Sequence, residues 1–389
     1  MTHRHSPRIA FVACALVLLG ALLAHAAQQP RYRVYDLGSL GGEGMSSQAS
    51  AINAKGQVAG STQTPNGDER AFLWSGGVMT SLGVLPGGAS SHALGLNDLG
   101  QVVGSATIAG GSRGFLYSGG VMTDLGTLSG GDYSAAYAIN NSGQIVGGST
   151  SSSGYQQAFL YANGSMSDLG LPPAAPPPPL PPGATWQWVA GVGQAVNATG
   201  LIVGASYAIY NAQNISDAQV LMGFSSQSGG ALTAMSPTME PGYNCWAYAV
   251  NAGGDVAGMA FFTNPFMGPT HAFLKKGSVF TDLGTLGGTT SMAFAIHDGG
   301  WVVGQATTAS SEARAFLYAG NTLYDLNALA VGTNPFLRLT RATGINASGW
   351  IVGYGYLKST GSEHAFLAVP EQAGRVVPAS VEKLLLLNQ

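Results

Sequence analysis

Charge is what this sequence has least of. Lys, Arg, Asp and Glu together make up 8% of 389 residues, against about 25% in an average globular chain. The formal net charge is −3 and becomes −5 (13 basic against 18 acidic residues) once Arg4 and Arg8 are removed with the leader described below. A basic patch of the kind that nucleic acid needs is missing, so no nucleic-acid partner is expected. Cysteine is nearly absent too. Cys14 lies in the leader, which leaves Cys245, and a single thiol closes no internal disulfide. Stability must therefore come from packing and from sheet hydrogen bonds.

Long apolar runs are also scarce. Ile9 to Leu23 follows the positive residues Arg4 and Arg8 and precedes Ala24-His25-Ala26. A short apolar stretch between a basic start and a small-x-small site has the form of a secretory leader. It falls short of the roughly 20 residues that a spanning helix needs. Residues 1–26 are thus expected to direct export and to be cleaved, leaving a secreted, extracellular or periplasmic protein with no membrane association. Cys14 stands at the start of the apolar run, which argues against a lipoprotein site.

What the chain has in excess is glycine, 58 residues, more than twice the usual share of about 7% and without the period of collagen. With abundant β-branched, aromatic and small residues, this reads as an all-β protein. The element Gly-x-[Val/Ile]-[Val/Ala]-Gly begins at Gly56, Gly100, Gly143, Gly200, Gly254, Gly300 and Gly349. Three residues before each stands Asn53, Asn97, Asn140, Asn197, Asn251, His297 or Asn346, at spacings of 44, 43, 57, 54, 46 and 49. An internal period of this length indicates a repeat architecture with insertions in the middle.

Each unit contains four short apolar runs, as in Ser134–Ile139, then Gly-Gln-Ile-Val-Gly, then Ala158–Tyr161, then Met-Ser-Asp-Leu-Gly. Runs of this size bounded by turn residues are strands. Asn-x-x-Gly suits the first hairpin, and Gly76-Gly77, Gly119-Gly120, Asn163-Gly164 and Gly320-Asn321 suit the hairpin between the third and fourth runs. Four antiparallel strands per unit and seven units predict a seven-bladed β-propeller over residues 31–369. The segment Arg31 to Gly38 matches only a fourth run, and the last unit, ending at His364–Ala368, lacks one. The N-terminal strand is therefore expected to complete blade seven and close the ring, which removes open sheet edges. The first run would be innermost, its alanines (Ala49, Ala93, Ala136, Ala247, Ala293, Ala342) crowding the axis.

The triplets His271–Phe273 and His364–Phe366, together with Asp282-Leu-Gly-Thr-Leu-Gly-Gly288, make the chain resemble the bacterial extracellular HAF-repeat proteins over roughly residues 35–369. The first triplet position departs from that pattern at Arg70, Arg113, Gln157 and Arg314, and blade four lacks the triplet. The resemblance implies export and a repeat architecture, with no established activity.

The strand order puts the Asn-x-x-Gly turns and glycine hairpins on one face. Loops between second and third strands, and between blades, lie on the other. Function is expected on that variable face, where insertions cluster in blades four and five. These are Leu171 to Trp186 with its eight prolines, read as a stiff shielding insertion, Ser206 to Asp217, and Phe261 to Thr270. They bring Trp186, Tyr207, Tyr210, Phe261, Phe262 and Phe266 to one quarter of the disc as candidate ligand-binding aromatics. Trp188, Tyr243 and Trp246 lie nearer to strands and are read as core.

Catalytic and metal motifs do not assemble. Asp36, Asp124, Asp168, Asp282 and Asp325 share one repeat position and read as acceptors for turn N–H groups. Arg70, Arg113, Gln157, His271, Arg314 and His364 recur likewise, as polar partners within blades. His92, His271, His297 and His364 fall in different blades, which leaves a zinc site without ligands. There is no nucleophile elbow or phosphate loop, and Ser380-x-x-Lys383 lacks its partner motifs. Glu43, Asp132, Asp217 and Glu240 lie on the variable side and keep a carbohydrate-active hydrolase or lyase as the alternative. The tail, 370–389, contains a stretch from Ser380 that suits a short capped helix. The expectation is a secreted, monomeric, non-enzymatic binding or scaffold protein without cofactor, its ligand an extracellular polysaccharide or a protein.

Overall fold

Each repeat turns where its Asn and Gly stand. In blade three the Asn140 carboxamide oxygen accepts from the backbone N–H of Ser142 and of Gln144, both at 3.0 Å, while Gly143 takes φ +78°. That left-handed conformation is open to glycine at no steric cost. The turn joins strands Ser134–Ile139 and Ile145–Thr150; Gln156–Ala162 and Ser165–Asp168 complete an antiparallel four-stranded sheet in sequence order. A computed structural model of the chain describes residues 29–371 apart from 43, 173–184, 213–214, 236–244 and 263–267. Within them this sheet recurs seven times. The fold is a seven-bladed β-propeller, as the repeat predicts.

Ring closure also follows the sequence. Blade seven consists of Phe336–Ile345, Ile351–Leu357 and Glu363–Pro370, with Tyr32–Asp36 as its outermost strand. The register sets Val34 opposite Ala368 and Asp36 opposite Phe366. Tyr32 and Val34 are buried, so the joint is held by apolar packing as well as by its ladder.

The blades pack through clusters that draw on neighbouring sheets. Val146, Ala158 and Leu160 of blade three, for example, meet Val196, Ile202 and Phe224 of blade four. The phenylalanine of each third strand (Phe72, Phe115, Phe159, Phe224, Phe273, Phe316, Phe366) is fully buried. Burying a side chain of that size is worth roughly 1.5–3 kcal/mol. The second-strand glycine beneath it leaves no choice of residue. A Cβ on Gly147 would stand 2.0 Å from the Ala135 carbonyl oxygen and 2.7 Å from the Phe159 ring.

The repeated Asn does more than cap its turn. Its amide nitrogen also donates to the backbone carbonyl of the corresponding residue in the next blade. Asn53 donates to Asn97 (3.0 Å), Asn97 to Asn140 (3.1 Å), Asn140 to Asn197 (3.0 Å), and Asn197 to Asn251 (2.9 Å). Asn251 continues to His297 (3.4 Å), and Asn346 closes the circle on Asn53 (3.0 Å). At the joint between blades six and seven His297 substitutes. Its Nδ1 accepts from the Gly299 N–H at 2.7 Å, so Nε2 carries the proton in the neutral ring and donates to the Ala347 carbonyl at 3.2 Å. The result is a belt of side-chain hydrogen bonds around the axis.

Two sequence expectations are corrected here. The six alanines named for the inner strands are buried in the packing between sheets, and of them Ala49 borders the central cavity. Ala49 packs with Phe72, Val352 and Leu367 in the interface between blades one and seven, and its counterparts are likewise buried. Strand alternation gives the axis to their neighbours instead. Second, Ser206 to Asp217 is not an irregular loop. In blade four the strands run Thr185–Val196, Leu201–Ala212 and Ile215–Gln227, paired along most of their length. Trp186 thus lies within a strand, one residue after its start, instead of ending the Pro-rich insertion. The leader, residues 173–184 of that insertion and the suggested tail helix lie outside the described residues.

Asn140→Asp tests the belt, because the isosteric carboxylate turns two donors into lone pairs facing the Gln144 Oε1 and Asn197 carbonyl oxygens. It is expected to cost about 1–3 kcal/mol in denaturant unfolding at neutral pH. His297→Asn should stay within about 0.5 kcal/mol of the parent, whereas His297→Ala should lose about 1 kcal/mol or more.

Candidate functional site

The axis is lined by the positions at which the repeat does not repeat. Every inner strand carries a β-bulge between the fourth and second residues before its turn residue, as at Ala136/Ala138 and Ala247/Ala249. The residue in the bulge is Ser50, Leu94, Tyr137, Gln194, Tyr248, Phe294 or Thr343. All of these border one central cavity of about 430 Å³. A bulge re-aims a side chain and interrupts pairing. Here it presents seven side chains of six kinds to a common space while the residues on either side stay Ala or Gly. The residue next to the turn is always Ile, Leu or Val, and that end of the channel is apolar. A smaller cavity of about 260 Å³ on the turn face includes Asn53, Asn97, Asn140 and Asn346 among its lining residues. Their amides are already committed to the belt.

Toward the loop-rich face the wall is aromatic. Tyr207 of blade four meets Trp246 of blade five edge to face, with centroids 5.4 Å apart and planes at 88°. Trp246 stacks on Tyr248 (5.4 Å, 14°), and Tyr248 leans on Phe294 of blade six (5.4 Å, 50°). The Arg341 guanidinium of blade seven continues the arc, 4.7 Å from the Phe294 centroid and 5.6 Å from that of Tyr354. Its Nε donates to Gln305 Oε1 at 2.7 Å. Tyr137 stands on the blade-three side. Burial pushes the phenol pKa of Tyr207 and of Tyr248 up to about 12, and that of Tyr137 upward as well. Among the described residues no Asp or Glu lines the cavity. The Trp246 indole N–H is buried without a hydrogen-bond partner.

Of the six aromatics expected from sequence, Tyr207 reaches this arc. Trp186 and Tyr210 are paired in backbone register on the extension of blade four. Phe261 ends the second strand of blade five opposite Thr270, and Phe262 packs on the blade-five core, 6.4 Å from the His271 ring. Phe261 and Phe262 thus stay with blade five, whereas the Tyr207 ring meets Trp246. Phe266 lies outside the described residues. Trp246, read as core, is half-buried and stacks between Tyr207 and Tyr248, next to the residues that line the cavity. Tyr137, Tyr248, Phe294 and Arg341 were missed because they sit inside the repeat. The signal that marks them is a variable residue three or five places before a constant Asn or His.

The repeated polar residues build the blades. Asp36, Asp124, Asp168 and Asp282 accept from the N–H of Gly38, Gly126, Gly170 and Gly284 at 2.7–2.8 Å, and Asp325 accepts from Asn327. His271 and His364 pair with Asp282 and Asp36 at 2.8 and 2.9 Å. Among the described residues no three His, Cys, Asp or Glu side chains converge as they would on a metal ion.

No family model and no curated protein matches the sequence. Among solved structures the chain is similar to TolB from Acinetobacter baumannii (TM-score 0.38, 12% identity, 59% of this chain); the match spans only 51% of TolB. It is similar to the β-propeller domain of the Trilobed protease from Pyrococcus furiosus (TM-score 0.48, 8% identity, 85% and 99% of the two chains). It is also similar to a six-bladed fungal lectin from Aleuria aurantia (TM-score 0.33, 12% identity, 89% and 98%). At these identities the likeness concerns the fold alone.

The raised phenols give a signed pH dependence. Burial favours the neutral form of Tyr207 and Tyr248, so their contribution to stability is complete below the ordinary tyrosine value of about 10. It is lost as pH rises toward about 12. Ultraviolet titration of the folded protein should show late-ionising phenols, two fewer of them in the Tyr207→Phe/Tyr248→Phe double variant, with Tyr137 among those that remain. The variant should also unfold less steeply with pH across that window.

Proposed function

We propose that the chain is a secreted, non-enzymatic binding protein of the HAF-repeat type, and that an extracellular polysaccharide enters the channel from the loop-rich face and stacks on its aromatic arc. One observation supports this reading above others: Tyr207, Trp246, Tyr248 and Phe294 form an unbroken run of rings beside a cavity supplied with Gln48, Gln194, Ser50 and Thr343. Aromatic faces bury the C–H faces of sugar rings at low entropic cost, and a few fixed polar groups select among hydroxyls. The buried, unpartnered Trp246 N–H fits a site whose donor waits for an acceptor.

A hydrolase would need two carboxyl groups across the scissile bond, about 5–9.5 Å apart. Among the described residues the cavity wall supplies none. Asp132, the candidate acid that is described, accepts from Thr150 Oγ1 at 2.9 Å outside the cavity. Binding is therefore the reading that the wall chemistry favours.

Trp246→Ala and Phe294→Ala are expected to weaken glycan binding at least about tenfold, equivalent to about 1.4 kcal/mol. Trp186→Ala should change it little. A glycan array followed by calorimetric titration reads this out, with circular dichroism melting to establish that each variant is folded. Unchanged affinity in Trp246→Ala, or a large loss in Trp186→Ala, would move the ligand away from the channel.

A further inference from the structure

We infer that the channel selects a sugar bearing a carboxylate, a uronic acid residue, and that Arg341 receives it. This rests on the binding function proposed above and adds the charge class of the ligand. Arg341 occupies the inner-strand position five residues before the turn, where the other blades carry Gln48, His92, Ala135, Val192, Trp246 and Met292. Nothing in the repeat demands a cation there. The side chain borders the central cavity and is half-buried.

Its surroundings hold it without neutralising it. The guanidinium lies against the Phe294 and Tyr354 rings and donates through Nε to Gln305. The Tyr354 hydroxyl is a second partner. A guanidinium has five N–H groups, so most of its fork remains for a ligand. Arg341 forms no ion pair among the described residues. Glu363, the carboxylate that acts on the same Tyr354 hydroxyl, accepts from the Gln48 amide instead of pairing with Arg341, while Glu312 is taken up by Arg314 at 2.6 Å and Arg338 at 3.2 Å.

A partly desolvated cation without an anion is costly to maintain, and an incoming anion recovers that cost. The planar fork of arginine matches a carboxylate bidentately, and here its orientation is fixed in advance by the two rings and Gln305. With the aromatic arc beginning at Phe294, the same cavity offers a ring-stacking wall and a carboxylate receptor side by side. A volume of about 430 Å³ lies within the range of small-molecule sites, about 300–1,000 Å³.

The test uses uronate-containing oligosaccharides, their carboxyl-reduced counterparts and a sulfated series, titrated against the full chain. The acidic form is expected to bind at least about tenfold tighter than the reduced form, one decade being about 1.4 kcal/mol. That preference should shrink as salt rises. In Arg341→Met the ratio of acidic to reduced affinity should fall to near unity, and in Arg341→Lys it should be intermediate. Equal affinity of the two forms for the parent protein, an unchanged ratio in a folded Arg341→Met, or tighter binding of sulfated than of uronate sugars would overturn the inference. In each of those cases the channel reading survives if Trp246→Ala still abolishes binding. Absence of binding to every sugar, or indifference to Trp246→Ala, overturns both.

Discussion

The structure depends on one side chain doing two things at once. The Oδ1 atom of each repeated Asn folds its own turn, and its Nδ2 atom ties that turn to the next blade. A propeller gains its apolar burial only between blades, since a single four-stranded sheet has no partner for its faces. The Asn couples the local step, closing a hairpin, to the global one, setting the next blade at a fixed distance and angle. Serine would cap the turn but not reach the neighbour, and aspartate would cap the turn but has no hydrogen to donate. The one exception, His297, keeps both functions by using its two ring nitrogens separately.

A second constraint follows from how closely the inner strands approach. The second-strand glycine allows the inner strand to lie across it, and the bulge beside it turns one residue toward the axis. Seven copies of this device produce a rigid ring of invariant backbone that displays seven side chains free of any packing duty. The scaffold is thereby separated from the surface that can vary. Tyr248 and Phe294 occupy such positions, Trp246 and Arg341 the position two residues earlier, and the contacts of Phe294 with Tyr248 and with Arg341 cross blade boundaries. The aromatic wall therefore exists only when the ring is closed.

Stability and specificity thus use different residues of the same strand. The buried Ala, Val and Phe positions recur and hold the blades together, at roughly 25 cal/mol for each Å² of apolar surface removed from water. The channel residues recur hardly at all. Charges are rare, and the ion pairs that exist, such as Arg70 with Asp68 or Arg314 with Glu312, lie at the blade margins, where such pairs add little. Against so sparse a background one cation in the channel stands out electrostatically.

The sequence by itself determined the number of blades, the four-strand pattern, the closure by Tyr32–Asp36 and the structural role of the repeated acids. All of these are local or periodic: a turn needs its glycine, a strand its alternation, and a missing fourth run its replacement. What only the tertiary structure decided was which residues share the axis. Composition marked the insertions of blades four and five as unusual, but unusual length does not say where a side chain lands: Tyr207 joins the channel arc, whereas Phe261 and Phe262 stay with blade five. Alternation was legible, yet its phase was not. A one-residue bulge exchanges the axial and interfacial faces of a strand, so alanines expected at the axis pack between blades while their neighbours line the channel. The proximity of Trp246, Phe294 and Arg341 spans three blades and nearly 100 residues of chain. Only the closed ring brings them together.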